Sequence, residues 1–188
     1  MKLDKLAKNI MDKQKKNIAL MGHMGSGKSV LGKLISKKLN FNHVDSDKLI
    51  EKKSNKTINE IFQTKGESYF RLIEENVILE TIYQKKLVLS LGGGSILSPK
   101  IRKALKGNFL TVFLDVDFAI LSKRLIKSKR RPLINDTNIE EKIKELDAIR
   151  RKFYLLADIT LKNHLTITDA FAEFRKKYIE FYEKYNSN

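Results

Sequence analysis

Apolar and polar positions along this chain follow two periods, and the switches between them mark the elements. NIALM (17–21) is a short apolar run that stops at Gly22, whereas from residue 29 to 39 Val30, Leu31, Leu34, Ile35 and Leu39 recur at helical spacing. NHVD (42–45) reads as a second strand, with Leu49 and Ile50 on a short helix after it. Thr57 and Glu60 form a capping box that opens another helix, and the pattern from Phe70 to Tyr83 continues helical. KLVLSL (86–91) is a buried strand that runs into Gly92, Gly93 and Gly94, and Ser98 followed by Pro99 starts a helix with proline at its first position. FLTVFLD (109–115) is a strand, AILSKRLI (119–126) a helix, NDTN (135–138) a loop, the segment from Ile139 to Tyr154 a helix, and ADITL (157–161) a last strand. The C-terminal helix lines up Ile167, Ala170, Phe171, Phe174, Tyr178 and Phe181 on one stripe, which is core. Five short apolar strands alternating with helices predict an α/β fold whose parallel sheet is covered on both faces. No internal repeat or low-complexity linker interrupts the pattern.

Composition narrows what such a fold can do. At 188 residues, 41% of them hydrophobic, the chain suits one domain with a real core. It has no cysteine, so no disulfide or thiolate metal site is expected, and His23, His43 and His164 lack ligand spacing. The first sixteen residues, six lysines and two aspartates among them, resemble neither a signal nor a transit peptide, and no run approaches the roughly 20 apolar residues of a membrane span. A soluble, cytoplasmic protein is expected, with residues 1–16 a poorly ordered and dispensable extension. The net charge of +16 raises a rival reading, a nucleic-acid-binding module, whose mark would be oligonucleotide affinity that falls steeply with salt. The charge is spread over lysine-rich helix surfaces, however. Its one dense cluster, KRLIKSKRR (123–131), has no interleaved aromatic for base stacking and suits phosphate better.

The chemistry concentrates where predicted strands end. Gly22, Gly27, Lys28 and Ser29 satisfy the P-loop pattern between a strand and a helix. The glycines let successive N–H groups turn inward at the positive end of a helix, Lys28 would reach the β- and γ-phosphates, and Ser29 would ligate Mg²⁺. His23 and Met24 fill loose positions of the pattern and receive no chemistry. Asp45 and Asp47 in VDSD close the second strand, where open α/β sheets place their ligand crevice, and a spacing of two puts both carboxylates on one side if the strand continues. One would hold magnesium through water and the other face a substrate hydroxyl. Gly92 to Gly94 offer bare backbone at another strand end, and Arg71 lies among aromatics in YFRLIEE at a helix start. Taken singly, a helix cap, a tight turn or a surface ion pair of Arg71 with Glu74 or Glu75 accounts for each of these last three.

Together, GHMGSGKSVLGKLISKKL, VDSDKLIE, GESYFRLIEE, LSLGGG, RRPLI and IRRKFY resemble the shikimate kinase family in that order, over about residues 17 to 182. The resemblance implies a three-layer αβα P-loop kinase fold, nucleoside-monophosphate-kinase-like, with a five-stranded parallel sheet in the order 2-3-1-4-5 and a mobile lid over about 127–138. It implies phosphorylation of the 3-hydroxyl of shikimate by Mg²⁺-ATP in aromatic amino-acid biosynthesis. By motif, Gly25, Ser26, Gly27, Lys28, Ser29 and Val30 line ATP, Asp47 is the base, and Arg71 and Arg150 grip the shikimate carboxylate beside Gly92, Gly93 and Gly94. Arg131 becomes the lid arginine on the phosphates, Arg124 lies near adenine, and Asp45 reaches magnesium through water. The expected partners are ATP and shikimate, with no nucleic acid, no membrane and a monomeric chain. The lid carries Lys129 and Arg130 beside Arg131, and LKNHL (161–165) matches little near adenine. The rival within enzymes is a related kinase acting on gluconate or a nucleoside monophosphate.

Overall fold

The computed structural model describes residues 17–127, 139–162 and 166–186. The extension over 1–16, the lid over 128–138 with Arg131, and His164 lie outside the described residues. Five strands, β1 (Asn17–Met21), β2 (Asn42–Asp45), β3 (Leu87–Ser90), β4 (Phe109–Asp115) and β5 (Ile159–Lys162), form one sheet in the order β2-β3-β1-β4-β5. Every pairing is parallel, with Ile18 beside Val88 on one side and Leu110 on the other. The helices between them are α1 (Lys28–Leu39), α2 (Ser46–Ser54), α3 (Ile58–Thr81), α4 (Pro99–Asn108), α5 (Phe118–Lys127), α6 (Ile139–Tyr154) and α7 (Ile167–Asn186), plus a 3₁₀ turn over Ser95–Leu97.

Because successive strand residues face opposite ways, a strand covered on both faces must be apolar throughout, and β1 is buried at all five positions. Ile18 and Leu20 face Leu31 and Ile35 of α1 and Ala170, Phe174 and Tyr178 of α7. Ala19 and Met21 face Ile78 of α3, Ile101 and Leu105 of α4 and Tyr154 of α6. Each fully buried side chain of this size contributes about 1.5–3 kcal/mol, so the two layers hold β1 and the loop after it rigidly. A smaller cluster of Ile50, Ile61, Phe70 and Val77 joins α2 to α3 beside the sheet.

Two local features depart from the sequence pattern. β2 ends at Asp45 and the chain turns directly into α2, so Asp45 and Asp47 are not two positions of one strand. Asp45 instead caps α2, its carboxylate accepting from the Lys48 N–H at 3.3 Å. The helix that Thr57 and Glu60 open by their capping box runs on to Thr81, bent at Gly66, whose φ of 80° and ψ of 173° are not helical. Arg71 therefore lies near the start of the helical stretch that follows the break at Gly66, as the sequence predicts.

Candidate active site

The loop from Gly22 to Gly27 joins β1 to α1. Gly27 occupies the N-cap at φ 97°, a left-handed conformation that glycine adopts at no steric cost, and α1 has neither a side-chain cap nor an acidic residue in its first turn. The positive end of the helix is thus left for an anion. Lys28 lies across the loop, only 9% exposed, its Nζ donating to the carbonyls of Gly22 and His23 at 2.8 Å each. Val30 is exposed at the mouth, and Arg124 of α5 reaches over the loop to donate to the Gly25 carbonyl at 3.2 Å.

Beside the loop, Ser29 Oγ donates to the Asp45 carboxylate. A hydroxyl and a carboxylate side by side at a phosphate cradle are hard oxygen donors, and Mg²⁺ takes few protein oxygens while keeping water and substrate phosphates. The donor set fits that ion. Among the described residues, no group of three or more His, Cys, Asp or Glu side chains could cage a metal without such help.

The acceptor side is built on α2, α3, α6 and the triglycine. Arg71 projects from α3, where Glu74 accepts from its Nη1 at 2.6 Å and Glu67 from its Nη2 at 3.0 Å. Glu74 is 2% exposed and also accepts from Ser95 Oγ at 2.6 Å, so the expected Arg71–Glu74 ion pair is present but half-buried, with its carboxylate in the interior. Burial alone would lower the Arg71 pKa, but the attraction and hydrogen bond of Glu74, joined by Glu67, raise it. The triglycine makes room for these groups: a Cβ on Gly92 would lie 2.5 Å from Asp47 Oδ1 and 2.7 Å from Glu74 Oε1, and one on Gly94 would lie 2.6 Å from Arg71 Cζ. Arg150 comes in from α6, 7% exposed, and its buried Nε has no hydrogen-bond partner among the described residues. Tyr154, one turn further on, donates to the Gly93 carbonyl at 2.6 Å. Burial, opposed by Arg150, pushes its pKa up to about 12 and keeps it a donor.

One open cavity of about 930 Å³ unites both sides. It is lined by the loop residues Gly25 to Val30, by Asp45, Asp47, Arg71, Gly92, Gly93, Gly94, Arg124 and Arg150, that is, by every expected site residue among the described ones. Sequence reasoning missed several others. Glu74 entered only as one of two possible surface partners of Arg71, because nothing local distinguishes a buried glutamate from an exposed one. Leu161, Thr166, Ile167 and Ala170 continue the wall beyond the phosphate loop. They come from β5 and the start of α7, past a segment with no motif to mark it. His23 is buried against α6, a contact between residues 124 apart that no local pattern signals.

Comparison with known proteins bears on this geometry. The sequence model of the family described as shikimate kinase matches residues 24–180. The shikimate kinase of Thermoanaerobacter pseudethanolicus is 36% identical over 165 residues, 87% of this chain and 96% of that protein. That of Sulfurihydrogenibium is 44% identical over 146 residues, 78% of this chain and 87% of that one. Among solved structures, a shikimate kinase from Acinetobacter baumannii in complex with shikimate aligns with a TM-score of 0.81 at 33% identity, over 90% of this chain and 93% of that chain. A gluconokinase from Sinorhizobium meliloti, at 14% identity and a TM-score of 0.59, shares the fold alone.

Proposed function

The chain belongs to the shikimate kinase family, and from that premise we propose that it transfers the γ-phosphoryl group of ATP to the 3-hydroxyl of shikimate, giving shikimate 3-phosphate and ADP. The observation that carries this reading is the pair of arginines from different helices, Arg71 and Arg150, lining the same cavity as the phosphate loop. The buried Arg150 guanidinium, with an unmet N–H, stands to gain a charge-assisted bond from a planar carboxylate, and a second fork from Arg71, held in place by Glu74 and Glu67, fixes that carboxylate's orientation in a way lysines could not.

Lys28 and the N–H groups opening α1 hold the phosphates of ATP, with Arg124 on the adenine side and Thr166, Ile167 and Ala170 offering apolar wall. Asp47 accepts the proton of the 3-hydroxyl as its oxygen attacks the γ-phosphorus in line with the departing ADP oxygen. The P–O bond to ADP breaks as the new one forms, and the proton ends on the Asp47 carboxylate. Magnesium, held by Ser29 directly and by Asp45 through water, would neutralise charge on the phosphates when bound. Arg131 is assigned to the phosphates from the lid, which closes to exclude water from the transferring group. The enzyme acts as a monomer on these two small molecules.

A coupled assay of ADP formation tests the reading. Shikimate-dependent ADP release, absent with gluconate or a nucleoside monophosphate, is expected. Release that ignores shikimate, or that follows either alternative acceptor, rejects it.

A further inference from the structure

We infer that the His23–Asp147 pair is a positioning latch, which fixes α6, and with it the Arg150 guanidinium, against the nucleotide loop. The substrate it concerns rests on the shikimate kinase reading; the latch itself rests on packing.

His23 occupies a loose position of the P-loop pattern, yet its side chain is 4% exposed, wedged edge-on against Tyr154 at 5.2 Å and near Phe118 at 6.5 Å. Its Nε2 lies 2.7 Å from Asp147 Oδ1, and Asp147 is itself 7% exposed. A carboxylate can only accept, so Nε2 carries the proton. The other oxygen, Oδ2, is 3.5 Å from Arg151 Nη1, and Arg151 forks onto Asp115 at the end of β4 at 3.1 and 3.0 Å. The carbonyl of the same His23 accepts from Lys28 Nζ at 2.8 Å. One residue thus touches the phosphate lysine through its backbone and the helix bearing Arg150 through its side chain.

Helix geometry makes this contact consequential. Residues 147, 150 and 154 are spaced i, i+3, i+7 and share one face of α6. Asp147 ties that face to the nucleotide loop, and Tyr154 ties it to the triglycine through the Gly93 carbonyl. Arg150 sits between the two ties; its guanidinium is hydrogen-bonded to the Tyr154 hydroxyl of the same helix, while its buried Nε has no partner among the described residues. Its direction is set from within α6 and so follows the placement of that helix. Releasing the Asp147 tie leaves α6 to shift about its remaining holds, Tyr154 on the Gly93 carbonyl and Arg151 on Asp115, and moves the guanidinium away from the acceptor.

The test uses the full chain and steady-state kinetics of His23→Leu, Asp147→Leu, the double variant and Asp147→Asn. Each leucine variant is expected to raise the shikimate KM by roughly 5- to 20-fold with kcat within about threefold, the loss of one buried charge-assisted hydrogen bond. The double variant should be no worse than the weaker single, since both remove the same interaction. Asp147→Asn keeps an acceptor for the imidazole N–H and should hold the KM near the native one, whereas a merely space-filling role would leave the leucine and asparagine variants alike. Asp147→Ala replaces Asp147→Leu if the larger side chain unfolds the protein, and is read the same way. An unchanged shikimate KM in a folded leucine variant, additive losses in the double, or an asparagine variant as poor as leucine overturns the latch. Its failure stays separate from failure of the shikimate reading, because the His23 Nε2–H resonance reports the hydrogen bond without substrate. That proton should exchange slowly with water in the native protein and be lost from the spectrum on Asp147→Leu or Asp147→Ala; persistence there also overturns the latch.

Discussion

Adding one methyl group to the triglycine puts the acceptor geometry to a quantitative test. Gly94 has φ −91° and ψ −14°, which alanine adopts without strain, so the backbone does not oppose Gly94→Ala. Space does. The new Cβ would lie 2.6 Å from Arg71 Cζ, against about 3.5–4.0 Å for relaxed carbon atoms, so the guanidinium must retreat by about 1 Å. It is held where it is by Glu74 at 2.6 Å and Glu67 at 3.0 Å. Losing the bond to buried Glu74 costs about 1.5–3 kcal/mol, offset by about 0.4–1 kcal/mol from restricting the unfolded chain. A net loss of about 1–2 kcal/mol should lower Tm by roughly 2–8 °C for a domain of this size. The same retreat withdraws a fork from the shikimate carboxylate, so the shikimate KM should rise about 10- to 100-fold while the ATP KM moves less than about twofold. Scanning calorimetry and the coupled assay, varied in each substrate, read both effects. A folded variant with an unchanged shikimate KM, or one whose ATP KM rises as much, refutes the placement of Arg71 at the carboxylate.

Other changes have outcomes as definite. Asp47→Asn should lower kcat by about 10²- to 10⁴-fold with ATP affinity by titration calorimetry unaltered, as befits a proton acceptor; near-native turnover would remove Asp47 from that role. Arg71→Lys should raise the shikimate KM roughly tenfold, a point charge replacing a fork, and an unchanged constant would move the carboxylate grip elsewhere. Tyr154→Phe deletes the donor to the Gly93 carbonyl and should cost about 1–2 kcal/mol in denaturant unfolding, so an unmoved midpoint would show that bond to be idle. Burial, only partly offset by Asp147, lowers the His23 pKa below 6.5, so the folded state takes up its proton later than the unfolded chain. The stability this contributes is whole above about pH 6.5 and is lost as pH falls through the folded value. Thermal melts from pH 8 to 5 should therefore show a shallower acid loss in His23→Gln than in the native protein, and identical slopes would contradict the shift.

The loop that cradles phosphate, its flanking strand and helix, the capping box at Thr57 and the Ser98–Pro99 start were all readable from the chain, because each depends on neighbours within a few residues: glycine conformations, an oxygen three residues from an N–H, an apolar period of two or 3.6. The motifs even named nearly half of the residues that line the cavity. Tertiary structure alone decided the rest. It turned the chain into a helix at Ser46 instead of extending β2, bent α3 at Gly66, buried Glu74 beneath Arg71, and carried the cavity wall on to Thr166 and Ala170. It also brought His23 to Asp147 across 124 positions. The physical reason is the sheet: with β1 between β3 and β4, the ends of strands far apart in the chain open onto one crevice. Which side chains meet there is set by the order of strands and the packing of whole helices, quantities that no window of sequence contains.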